Sequence, residues 1–80
     1  MKIYCVIRNE VWDGEDWQTI SVYRNRKDAQ ARVKIERDKC FNDWCDEDVI
    51  TDTEDEFFAY RDGEYCLYHC VITIEETELI

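Results

Sequence analysis

Residues 2–8 read Lys-Ile-Tyr-Cys-Val-Ile-Arg and stop at Asn9. This density of β-formers predicts a strand, with Ile3, Cys5 and Ile7 on one face and Tyr4 and Val6 on the other. Asp13-Gly14-Glu15-Asp16 is a turn signal. A second strand follows over 17–23, where Ile20 and Val22 alternate with Thr19 and Ser21. The two strands make a hairpin, with a long, mobile loop expected across 9–16.

The period then changes. Asn25 is a favoured N-cap, and Asp28 stands where a capping-box acid would stand. A helix is predicted over 26–44, with Ala29, Val33, Cys40 and Trp44 at helical spacing and Ile35 and Phe41 widening the stripe. Residues 45–56 are crowded with acids, which predicts a solvated loop held by a short anchor at Val49 and Ile50. Phe57–Tyr60 reads as a short strand, residues 61–64 as a turn around Asp62-Gly63, and 68–75 as the most β-branched strand of the chain.

The order is β-β-α-β-β. It predicts an α+β domain spanning 1–80, a small antiparallel sheet with one helix on one face. The first and last strands are the most apolar and are expected to lie centrally and adjacent. The face away from the helix is expected to carry Tyr4 and Val6, and an apolar, aromatic sheet face is a candidate partner surface.

Size and charge narrow the function. An 80-residue chain of 9.8 kDa should expose roughly 5,200 Å² when folded and roughly 14,000 Å² when unfolded. That allows one core and disfavours a deep substrate cleft, so a non-enzymatic role is expected. Eleven aromatic residues argue for a packed core rather than a disordered acidic tail. The net charge of −10 disfavours direct binding to nucleic acid or anionic membranes and favours a basic partner. There is no run of 18 apolar residues, and Met1-Lys2-Ile3-Tyr4 leads directly into a strand pattern. A cytoplasmic location is expected, in the host cytoplasm if the protein is viral.

The charge is sorted along the chain. Seven of the ten bases fall in 24–39, while 43–64 holds ten acids and one base, Arg61. The bland explanation is a solvated helix followed by a soluble loop. The functional explanation is an anionic surface whose carboxylates occupy Lys/Arg sites that otherwise hold phosphates. The partner-binding candidates are Asp43, Asp46, Glu47, Asp48, Asp52, Glu54, Asp55 and Glu56, with Trp12 and Trp17 as aromatic anchors.

Metal and catalytic chemistry are weaker. Cys40, Cys45, Cys66, His69 and Cys70 are zinc-ligand types. However, Cys40-x₄-Cys45 is long for a knuckle and no glycine shapes it, so reduced, buried thiols are expected and no metal or cofactor. His69 could pair with a distant thiol such as Cys5, but its strand neighbours point away from it. Neither Asp13–Asp16 nor Asp52–Glu56 has calcium-loop spacing. With only Gly14 and Gly63 there is no phosphate-binding loop.

In size, acidity and lack of catalytic motifs the chain is similar to the small inhibitors that phages and mobile elements use against host defence, anti-CRISPR proteins among them. The likeness is one of type and rests on no shared motif. It implies a non-enzymatic inhibitor of a basic, nucleic-acid-handling protein. The alternatives are a cytosolic domain of unassigned role that could pair as a homodimer through a sheet edge or face, and a structural zinc module.

Overall fold

The computed structural model describes residues 1–12, 15–41, 44–62 and 67–78. The strands form where β-branched and aromatic residues concentrate, and they run further than local composition indicates. β1 spans Lys2–Trp12, β2 Glu15–Tyr23, β4 Glu56–Asp62 and β5 Leu67–Glu78. Pairing of β1 with β2 continues to Trp12 opposite Glu15. The long 9–16 loop is therefore replaced by strand, with only 13–14 between the last paired residues. Asn9 and Glu10 stay in the ladder because their side chains find partners on both faces of the sheet.

Helix α1 spans Arg26–Phe41. Its start is built as the sequence indicates. The Asp28 amide donates to Asn25 Oδ1 at 2.9 Å, and Asn25 Nδ2 donates to Asp28 Oδ2 at 2.9 Å. The helix ends three residues short of Trp44, which is nonetheless buried. Its inward stripe is Ala29, Val33, Glu36 and Cys40, whereas Ile35 is 47% exposed. A glutamate takes the place that periodicity gave to isoleucine.

The acidic 45–56 stretch is not a loop. A single 3-10 turn, Asp46–Asp48, leads into a further strand, β3, Val49–Asp52. The Asp48 amide donates to the Cys45 carbonyl at 2.9 Å, and the Cys45 amide donates to Asp48 Oδ2 at 3.1 Å. Thr53 closes the β3–β4 turn, its hydroxyl oxygen accepting from the Glu56 amide at 3.1 Å. Ile50 is 61% exposed and anchors nothing.

The α+β class and the β-β-α-β-β order hold, with β3 added after the helix. All five strands are antiparallel, in the order β2-β1-β5-β4-β3. The first and last strands are adjacent and β5 is central, as expected. The face assignment is reversed. Side chains alternate across a strand, and it is Val6 and Glu10, at 2% and 3% exposure, that lie beneath the helix. Ile3, Cys5 and Ile7 fall on the opposite face by register. The core consists of Val6, Ala29, Val33, Cys40, Trp44, Phe57, Ala59, Cys70 and Ile72, with Tyr4, Trp12, Tyr23, Val49, Tyr68 and Ile74 packed around it.

Candidate interaction face and interior thiol cluster

Helix and sheet hold charged side chains between them, and this dictates which acids remain available. Arg37 donates from Nε and Nη2 to the two oxygens of Asp52, at 2.5 and 2.6 Å. Arg26 reaches Asp55 at 2.7 Å, with Gln30 on its other oxygen at 2.8 Å. Arg61 donates to Asp48 at 2.7 Å. Each carboxyl is held below its ordinary range: Asp48 chiefly by Arg61, Asp52 by Arg37, and Asp55 by Gln30 and then Arg26. Three of the candidate acids thus tie the 3-10 turn and the β3–β4 hairpin to the rest of the domain. Among the described residues, Asp46, Glu47, Glu54 and Glu56 make no ion pair, and all four are exposed. They flank β3, at the sheet edge. Asp43 lies outside the described residues.

The two tryptophans differ. Trp12 is half-buried, its ring centroid 5.0 Å from Trp44 and 5.4 Å from Tyr68, and its Nε1 donates to Glu10 Oε2 at 3.1 Å. It is part of the core margin rather than a free anchor. Trp17 is 40% exposed, with the Arg8 guanidinium 5.0 Å from its ring centroid. That geometry is a cation–π contact.

The face without a helix carries a run of apolar side chains. Register and alternation place on it Ile3, Cys5, Ile7 and Val11 of β1, Ile20 and Val22 of β2, Phe58 and Tyr60 of β4, and Val71 of β5. Ile20 and Val22 are 59% and 58% exposed. Asp16, Glu56 and Glu75 share this face. Among the described residues of the five strands, register puts no lysine or arginine there. The bases lie toward the helix side. The strand bases share that side with Glu10, Glu15, Asp52, Glu76 and Glu78, so register confines the bases, and not the acids, to one face.

The zinc-type residues scatter. Cys45 is exposed, with Arg61 Nη2 3.9 Å from its sulfur. His69 is on the open face, its Nε2 3.3 Å from Asn9 Oδ1. Cys66 lies outside the described residues. Cys5 is six residues along β1 from Val11, the register partner of His69, so Cys5 and His69 are about 20 Å apart at the rise of a strand and form no dyad. Asp13 and Gly14, of the first carboxylate cluster weighed for calcium, are also outside the described residues.

Cys40 and Cys70 do meet, their sulfurs 3.4 Å apart in the core. Glu10 joins them, its Oε1 accepting from the Cys40 thiol at 2.9 Å. Arg8 donates to the same carboxylate at 2.7 and 3.0 Å, and to Glu36 at 2.7 Å. Burial pushes the Glu10 carboxyl up, but the hydrogen bonds from Cys40, Arg8 and Trp12 outweigh it and hold the group below its ordinary range. The Cys70 thiol is pushed up, first by its hydrogen bond to Cys40 and then by burial. Glu10 carries no sequence signal of its own. It falls where the sequence predicts the 9–16 loop, and residues 10, 40 and 70 belong to three separate elements.

No family model matches the chain, and no curated protein or solved structure matches it.

Proposed function

We propose that the chain is a non-enzymatic binding module that seats a basic, nucleic-acid-handling protein on its open sheet face and acidic rim. The observation that carries this is the charge of that face: nine apolar side chains and three carboxylates, with no lysine or arginine, among the strand residues whose side chains are described. An apolar patch bordered by a single sign of charge fits a partner with an apolar centre and a lysine- or arginine-rich border. The free acids Asp46, Glu47, Glu54 and Glu56 extend the negative rim along the β3 edge. Imitation of a phosphate backbone thus narrows to those four and the face carboxylates, since Asp48, Asp52 and Asp55 are held by arginines. An inhibitory role follows if the partner uses the same bases to hold nucleic acid.

The test compares capture from host extract by the wild-type chain and by two folded variants, Ile20→Lys/Val22→Lys and Asp46→Lys/Glu47→Lys/Glu54→Lys/Glu56→Lys. A basic protein retained by wild type, released by added salt and lost by the first variant is expected. Equal recovery by all three chains would sink the proposal.

A second reading is favoured by β2. It is an outer strand of nine residues with no lysine, arginine or proline to block further pairing. Antiparallel self-pairing centred on Ile20 would set Asp16 opposite Arg24 of a second copy, twice. Light scattering after size exclusion decides this: a monomer at all concentrations excludes it, and a dimer disrupted by Thr19→Pro supports it.

A further inference from the structure

We propose that Glu10, Cys40 and Cys70 form an interior site for one thiophilic divalent cation of the zinc class. The three donors come from β1, α1 and β5, and one ligand atom of each lies within 4.8 Å of the others. The sulfurs are 3.4 Å apart, and Cys40 Sγ is 2.9 Å from Glu10 Oε1. A tetrahedral zinc ion with bonds of about 2.3 Å to sulfur and about 2.0 Å to oxygen separates its donors by roughly 3.5–3.8 Å. These two separations therefore need to open by only about half an ångström to take the ion.

Two buried cysteines alone would be ordinary small apolar residues. Glu10 makes the difference. It is 3% exposed and stands against both thiols at a position where an apolar side chain would cost less. Arg8 donates to Oε1 at 2.7 Å, the oxygen that also accepts from Cys40, and Trp12 donates to Oε2 at 3.1 Å. Outer hydrogen bonds of this kind orient a metal-ligating carboxylate.

The charges close as well. On binding, each thiol gives up its proton to solvent as its sulfur bonds the metal, and the Cys40–Glu10 hydrogen bond is replaced by a metal–oxygen bond. Two thiolates, one carboxylate and a dication sum to −1, which Arg8 offsets. No electron is transferred. The described residues supply three donors, and water completes the tetrahedron.

The probe is cobalt(II), added to the reduced, chelator-treated full chain. We expect one cobalt per chain, a near-ultraviolet thiolate-to-cobalt band, visible bands of tetrahedral intensity and displacement by zinc. Cys5→Ser and Cys45→Ser should leave the band intact, while Cys40→Ser and Cys70→Ser should each abolish it. Circular dichroism of each variant before metal addition separates loss of ligand from loss of fold. The wild-type chain decides the matter even if both core variants unfold. A folded, reduced wild type that binds no cobalt, or shows no thiolate band, overturns the site, as does a band that survives in folded Cys40→Ser/Cys70→Ser.

Discussion

Replacing Arg8 with methionine removes the one cation shared by two interior carboxylates and keeps a long, unbranched side chain. Glu36 retains Arg32 at 2.5 Å and Lys39 at 3.7 Å, so its loss is partial. Glu10 is left with neutral donors, Trp12 and the Cys40 thiol. Breaking a buried pair by removing one partner costs about 3–5 kcal/mol. With two hydrogen bonds surviving, the cost should fall near the lower end of that range. An 80-residue domain has roughly 4–12 kcal/mol in total at ordinary stability per residue. The variant should therefore fold with much of its margin gone.

Urea unfolding at pH 7, followed by tryptophan fluorescence, should show the midpoint falling by about 3 M at a slope near 1 kcal/mol/M. The pH dependence is the sharper check. In the wild type the Glu10 pKa is depressed, so the group adds stability above its ordinary value of 4.5 and loses it as pH falls through the folded value. In the variant burial dominates, the carboxyl is raised, and protonation relieves the penalty. The gap between the two chains should narrow from pH 7 to pH 5. A gap below about 1 kcal/mol at pH 7, or one that widens on acidification, refutes the account of this network.

Other expectations test the frame around it. Asn25→Ala removes the cap on α1 and should cost about 1 kcal/mol in urea unfolding. Ile72→Ala empties a fully buried position on the central strand and should cost about 2–5 kcal/mol. Asp52→Asn breaks a half-exposed pair and should cost at most about 1 kcal/mol at pH 7, with the difference vanishing in about 1 M salt. Because Arg37 depresses the Asp52 pKa, the contribution of this pair is present above the ordinary value of 3.8 and lost as pH falls through the folded value. Titrating wild type and variant through that range checks the sign.

The elements with dense local signals were legible. Asn25 and Asp28 marked the helix start, and the β-branched run near residue 72 marked the central strand. The choice of face was not, for a physical reason. On β1 the odd positions Ile3, Cys5 and Ile7 are more apolar than Tyr4, Val6, Arg8 and Glu10. The helix nevertheless packs on the even positions, because Arg8, Glu10 and Glu36 satisfy one another in the interior. Hydropathy cannot register a buried charge whose partner is 28 residues away. β3 was hidden because four residues flanked by acids look like loop until β4 pairs with them. Which of the candidate acids make no ion pair among the described residues depended on where Arg26, Arg37 and Arg61 reached, and the sequence does not show that. The Glu10 cluster had no motif to find.

The last described strand in sequence is the middle one in space. β5 pairs Glu78 with Lys2 on one side and Leu67 with Asp62 on the other. Until it is in place, the β1–β2 hairpin and the β3–β4 hairpin have no strand between them, and Val6 and Phe57 have no common surface to bury against. A nascent chain would therefore leave the ribosome tunnel as two unjoined hairpins and a helix, and would close in one late step across nearly its whole length. Such distant pairing makes folding slow for the chain's size. During that interval the bare flanks of β1 and β4 are exposed to pairing with other chains.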